Sequence, residues 1–345
     1  MEKIDKDNMY ESIWDFPDNI VEAIELGESI RLKNNYSKIN KIIVAGMGGS
    51  AIGGDVVYSL VGNEIKIPYC VIRGYNIPNW VDTTTLVICS SYSGNTEETI
   101  EIFGKVKSVD AKVSAITTGG RIGQLCEKYS FDKVIIPSGL QPRAALAFSF
   151  IPILFILLKL NIISNNFLAW LVSTSELIKH NRIMYSKKND DNPVWLLAKK
   201  IYNKIPIIYA DSDSLNTVAV RLKGQICENS KILAYHNIFP EMNHNEIVGW
   251  EKNSKLFKNY FIIWLFDKRM NERNKERQKI VMDMLDKIGL DQFKLEVIGN
   301  NFEERFLLLI HYGDWLSYWC AILHKTDPSP VNNIKILKDK LSKIK

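Results

Sequence analysis

Cysteine, histidine and long apolar runs are all scarce in this 345-residue chain. Its five cysteines, at 70, 89, 126, 227 and 320, are odd in number and form no Cys-x-x-Cys pair. That excludes a disulfide frame and a thiolate zinc site, and it fits a reducing cytoplasm. The most apolar stretch, Ala144 to Leu158, is interrupted by Ser149 and Pro152 and closed by Lys159. It falls short of the ~20 residues a membrane span needs and reads as a buried helix. The charged opening Met1-Glu2-Lys3-Ile4-Asp5 has no apolar core of a signal peptide. No aromatic-interleaved basic stripe accompanies the formal charge of +5, so the lysines at 335, 338, 340, 343 and 345 and those between 268 and 279 read as solvated helix faces and not as a nucleic-acid surface. With 46% apolar and 24% charged residues the composition is that of a globular protein, and the length suits two domains.

Two loop sequences stand out against this background. Gly46-Met47-Gly48-Gly49-Ser50-Ala51 follows the apolar run Ile42-Ile43-Val44-Ala45, and Ser91-Tyr92-Ser93-Gly94-Asn95-Thr96 follows Leu86-Val87-Ile88-Cys89. An unbroken apolar run reads as a buried parallel strand. Glycine directly after it lets the backbone turn sharply and approach a ligand, and the helix start beyond suits an anion. Three serine and threonine hydroxyls in the second loop add donors for phosphate oxygens. Both loops at one sheet edge would form a phosphate cup of Gly48, Gly49, Ser50, Ser91, Ser93 and Thr96. Gly46-x-Gly48-x-x-Ala51 also satisfies a dinucleotide fingerprint, but the next strand, Tyr69 to Arg73, ends in arginine where a ribose-binding acid is expected. Arg73 keeps an NADP-linked oxidoreductase as a weakened rival. A Walker loop is excluded, because no Gly-Lys-Ser/Thr follows these glycines.

The pattern predicts an entry helix over Tyr10 to Leu32, then strands at 42–46, 69–73, 85–90, 112–117 and 132–136 with helices such as 50–60 and 96–107 between them. Residues 144–185 read as largely helical, and the polar run Lys187 to Asn192 before Pro193 reads as a boundary. A helix at 193–203 opens a second unit with strands near 205–210, 231–235, 259–265 and 293–298. A helix at 301–323 and a last helix to about Leu341 close the chain, with Asp327 or Ser329 as candidate caps. The expected class is α/β, with three-layer α/β/α domains built on parallel sheets. The layout is a helical segment over 1–40, a loop-bearing domain over 41–190, a second domain over 191–310 and a helical tail over 311–345.

The Ser-x-Ser-Gly-x-Thr loop resembles that of the sugar isomerase (SIS) superfamily. Three further blocks narrow the resemblance: Gln141-Pro142-Arg143-Ala144-Ala145-Leu146, Arg221 to Lys231 with its Glu228-Asn229-Ser230-Lys231, and Phe239 to Trp250 with its Pro240-Glu241-Met242-Asn243-His244-Asn245-Glu246. Together they resemble the bifunctional phosphoglucose/phosphomannose isomerase family from about residue 40 to the C-terminus. The resemblance implies two SIS-type domains and interconversion of glucose 6-phosphate and mannose 6-phosphate with fructose 6-phosphate, without metal or redox cofactor. Such chemistry needs a phosphate anchor, groups to open the ring, a base between carbon-2 and carbon-1, and a cation near the developing enediolate. By resemblance Glu228 is the base, His244 the ring-opening histidine, Lys338 the terminal-helix lysine that assists it, and Arg143 the cation. His244 and Glu246 stand two positions apart, a spacing that does not place two metal ligands on one helical face. Ser329, between two prolines, is a candidate for the room that both C2 epimers require. The resemblance also implies a homodimer in which His244 serves the neighbouring subunit's site. A non-catalytic SIS phosphosugar sensor is the other rival, and it would need neither Glu228 nor His244.

Overall fold

The apolar runs become two all-parallel sheets in the computed structural model of the protein, which describes residues 4–344. In chain order the elements are α1 (Met9–Trp14), α2 (Phe16–Ser29), β1 (Lys41–Ala45), α3 (Gly48–Val61), β2 (Tyr69–Ile72), β3 (Thr85–Ser90), α4 (Glu97–Ser108), β4 (Lys112–Thr117), α5 (Gly120–Tyr129) and β5 (Asp132–Ile135). Then follow α6 (Leu146–Lys159), α7 (Phe167–Tyr185), α8 (Pro193–Ile201), β6 (Ile205–Asp211), α9 (Asn216–Gln225) and β7 (Tyr235–Phe239). The series ends with β8 (Tyr260–Leu265), α10 (Glu272–Lys287), β9 (Gln292–Leu295), α11 (Phe302–Leu323) and α12 (Asn332–Leu341). The chain divides into two compact units, Asp15–Lys179 on one side and Met1–Trp14 with His180–Lys345 on the other. The division falls inside α7, seven residues before the polar run at 187–192, and residues 310 and 311 lie together inside α11.

The unit Asp15–Lys179 holds the sheet β2-β1-β3-β4-β5. β1 pairs with β2 on one side and β3 on the other, with Ala45 opposite both Ile72 and Cys89. Strand order reverses between β1 and β3, and such a switch point opens a crevice at the carboxyl ends of the strands, where α/β proteins hold ligands. Both glycine- and hydroxyl-bearing loops leave the sheet there. α6 is apolar on every side and is buried from Leu146 to Leu157, packed against α2 and α3. At Gly27 of α2 an added Cβ would stand 2.0 Å from the Phe155 ring, so only glycine allows that approach.

The other unit repeats the plan over four strands, in the order β7-β6-β8-β9. Its core helix is α11, the one helix among the described residues that is long and apolar enough to cross a membrane, with 94% of that window buried inside the protein. α11 carries polar groups with dedicated partners. Asp314 accepts from Arg221 at 2.7 Å and from Gln225 at 2.7 Å, both on α9. Burial pushes the Asp314 carboxyl up, opposed by the Arg221 guanidinium. Burial holds His311 down at about 3, in keeping with a neutral ring whose Nε2 accepts from the Trp315 indole at 3.0 Å.

Three local expectations need correction. The entry helix breaks at Asp15, because Pro17 begins a new first turn, which gives α1 and α2. The strand expected at 231–235 runs instead over Tyr235–Phe239. Lys231 adopts a left-handed backbone, φ 58° and ψ 27°, which ends the preceding helix and delays the strand. Neither Asp327 nor Ser329 caps the last helix: Val331 is its N-cap residue, and Asp327 accepts from the Ser329 amide at 3.0 Å within the preceding turn.

Candidate active site

At the switch point of Asp15–Lys179 the two loops are wired together. Ser50 Oγ, in the first turn of α3, accepts from the Tyr92 amide at 3.1 Å. Ser91 Oγ and Thr96 Oγ1 lie 2.9 Å apart, Ser91 fully buried and Thr96 half-buried as the N-cap residue of α4. Ser93 is exposed, and its Oγ accepts from the Asn95 amide at 3.2 Å. Gly94 has φ +69°, and a Cβ there would stand 1.9 Å from the Gly119 carbonyl oxygen. The loop is therefore clamped against the turn that starts α5, where the Ile122 amide donates to the Gly94 carbonyl at 2.9 Å. Gly48, at φ +51°, opens α3. The N-termini of α3 and α4 thus start from one rigid hydroxyl-lined crevice, a setting that suits an anion.

Gly49 brings the Pro142-Arg143 backbone against this crevice. A Cβ on Gly49 would lie 2.6 Å from the Pro142 carbonyl oxygen and 3.4 Å from the Arg143 Cα. Arg143 itself is 4% exposed. Gly49→Ala must push the 142–143 backbone away, so binding of inorganic phosphate, followed calorimetrically, is expected to weaken about tenfold or more. Gly104→Ala on α4 meets nothing within 4 Å and serves as the control. Unchanged phosphate affinity in Gly49→Ala would contradict this placement. Arg73, which kept the NADP reading open, pairs with Asp55 of α3.

The equivalent switch point of the other unit, between β6 and β8, is closed by its own side chains. Asp211 accepts from the Ser214 hydroxyl at 2.6 Å and from Asn274 at 2.6 Å. Asp267 pairs with Arg305 at 2.5 and 3.0 Å. These carboxylates are almost wholly buried. Two buried carboxylates at this switch point suit an anion less well than the hydroxyl-lined crevice of Asp15–Lys179.

Glu228 sits in a π-helical turn, Ile226–Ser230, that continues α9. Single π turns inside helices often mark functional positions. Here the cause is visible in the packing. Arg221, Gln225 and Asn229 recur at intervals of four and all reach α11: the first two bind Asp314, and Asn229 donates to Ser317 Oγ at 2.8 Å. Ser230 donates to the Ser317 carbonyl at 2.7 Å. Glu228 is thereby left half-buried on the opposite side, in a cleft of about 630 Å³ shared with Lys231, Asp327, Val331 and Ile334. Glu228 and the root of α12 therefore meet in one cleft. Lys338 is one turn beyond Ile334 on α12, a helix with no buried residue. Ser329 is fully buried in the turn before α12.

His244 ends the short 3₁₀ turn Glu241–His244 after β7 and is exposed, while its neighbour Met242 anchors the turn in the core. Glu246, the competing partner for a metal at His244, is held inside the unit by Tyr209 and Asn237, each at 2.5 Å. Among the described residues no group of three or more His, Cys, Asp and Glu side chains is placed to hold a metal ion. The Arg221/Gln225/Asn229 stripe and its Asp314/Ser317 counterpart were given no role from sequence. Their signal was present, as polar residues at helical spacing on α9 facing polar interruptions in an otherwise apolar α11.

Comparison with known proteins decides the family. A bifunctional phosphoglucose/phosphomannose isomerase from Caldicellulosiruptor bescii is 42% identical over 98% of this chain and 100% of its own length. This chain belongs to the bifunctional phosphoglucose/phosphomannose isomerase family. A member of the same family from Thermoplasma volcanium is 32% identical over 93% of this chain and 98% of its own length. Residues 190–341 match the family model described as the bacterial phospho-glucose isomerase C-terminal SIS domain. The fold alone is shared more widely. The tagatose-6-phosphate ketose/aldose isomerase from Escherichia coli superimposes with a TM-score of 0.71 at 14% identity, covering 94% of this chain and 95% of that one. As a phosphoglucose/phosphomannose isomerase family member the chain is an isomerase, and the sensor and oxidoreductase alternatives fall away.

Proposed function

We propose that this chain interconverts glucose 6-phosphate and mannose 6-phosphate with fructose 6-phosphate through an enediol(ate), without a metal. The observation that carries this reading is the wired hydroxyl crevice at the switch point, found in a chain that a named family member matches over 98% of its length. The 6-phosphate is held by Gly48, Gly49, Ser50, Ser91, Ser93 and Thr96. His244 and Lys338 open the ring by moving a proton between the ring oxygen and the anomeric hydroxyl. Glu228 then takes the proton from carbon-2 of the aldose, the carbonyl oxygen on carbon-1 gains negative charge, and Arg143 stabilises it. The hydroxyl proton on carbon-2 passes to the carbon-1 oxygen, and protonation of carbon-1 by Glu228, whose proton exchanges in part with solvent, gives the ketose. Ser329, between two prolines, is the candidate for C2-epimer tolerance. Unpaired cysteines throughout support a reducing, cytoplasmic setting.

Purified protein treated with EDTA and given fructose 6-phosphate should yield both aldose phosphates, identified by NMR. A single aldose would restrict the reading, and abolition by EDTA with recovery on adding a divalent metal would overturn its metal-free part. The assembly is proposed as a two-fold homodimer in which His244 serves the partner's Glu228. Mixing Glu228→Gln with His244→Ala chains gives mixed dimers with one intact site, so about a quarter of wild-type activity should return. If both residues act within one chain, nothing returns.

A further inference from the structure

The turn that presents Glu228 is fastened on its core side by Asn229 and Ser230. On its open side the fastening is Lys231. The Lys231 ammonium donates to the carbonyl of Glu228 at 2.6 Å, of Asn229 at 3.3 Å and of Pro328 at 2.8 Å. An ammonium has three donors, and here each meets a backbone acceptor. Pro328 belongs to the turn from which α12 departs, and the root of α12 forms the far wall of the Glu228 cleft. Two features set this lysine apart from an ordinary surface lysine. Its backbone is left-handed, at φ 58° and ψ 27°, where glycine or asparagine is under less strain. Its head group is also turned back onto the chain, although the residue is solvent-facing and a lysine there normally extends its ammonium into water.

We propose that Lys231 is a positioning residue for the isomerisation. It latches the π turn to the turn at the root of α12 and so sets where the Glu228 carboxylate stands across the cleft. The inference rests on Glu228 being the base that moves the proton. Its consequence is selective: loss of the latch slows proton transfer and spares phosphate binding, which belongs to the loops of the other unit.

Lys231→Gly makes the test sharp, because glycine suits the left-handed backbone while removing every donor. If the lysine served only the turn, this variant would be as active and at least as stable as the parent. The latch instead predicts a kcat for fructose 6-phosphate about tenfold or more lower, KM within about threefold and an unchanged denaturation midpoint. Lys231→Arg, which keeps donors within reach of the carbonyls, should recover part of the loss. In a Glu228→Gln background the same glycine change should cost less than about twofold further, because the group it positions is already disabled. A folded Lys231→Gly enzyme with kcat within twofold of the parent overturns the latch alone. So does a tenfold loss that persists in the Glu228→Gln background. A wild-type enzyme that isomerises nothing overturns the base assignment and the latch with it.

Discussion

Glu228→Gln is expected to lower kcat by ~10² or more while substrate binding largely survives. Glutamine keeps the shape of the side chain and removes the proton acceptor. The change should also be silent in stability. The π turn is fixed by Asn229 and Ser230 on Ser317 and by the backbone carbonyls that Lys231 holds, not by the Glu228 carboxylate alone. A denaturation midpoint equal to the parent's, with kcat collapsed and KM little moved, is the combined signature. Near-normal turnover in the glutamine variant would remove Glu228 from the mechanism.

The second large effect belongs to the anchor. Changing Ser91, Ser93 and Thr96 together to alanine should raise KM by ~10³ or more, since each charge-assisted hydrogen bond to phosphate is worth ~1.5–3 kcal/mol. The contributions should be unequal. Ser91 is buried and hydrogen-bonded to Thr96, so losing either leaves the other's hydroxyl poorly satisfied. Ser93 is exposed, and its replacement alone should matter least. Calorimetric binding of inorganic phosphate should weaken in the same order. Equal affinity in the triple variant and the parent would contradict the cup.

Much of the fold is legible in the sequence itself. Ile42–Ala45 and Leu86–Cys89 are buried on both faces, and a strand covered by helices on both faces has no polar alternation to obscure it. The loops after them were legible because glycine and hydroxyl residues there have few other reasons to cluster. The edge strand β7 was misplaced for the converse reason. Lys231-Ile232-Leu233-Ala234 has the apolar look of a strand, yet Lys231 takes a left-handed backbone and its ammonium binds the carbonyls of Glu228, Asn229 and Pro328, and the strand starts only at Tyr235. The π turn was illegible too. Ile226–Ser230 continues a good helical sequence, and the wider turn goes with the tertiary pairing of Asn229 and Ser230 with Ser317. Likewise Asp327 and Ser329 look like caps, but Asp327 spends its acceptor one turn too early. The motifs and the resemblance they carry pointed to the family; long-range hydrogen bonds decided how Glu228 is presented.

The most direct test of the account is to run the reaction from fructose 6-phosphate in D₂O with the EDTA-treated enzyme and to read the products by NMR. Proton transfer through an enediol(ate) predicts both glucose 6-phosphate and mannose 6-phosphate, each carrying deuterium at carbon-2. The absence of aldose product, or aldoses formed with carbon-2 wholly free of deuterium, would contradict it.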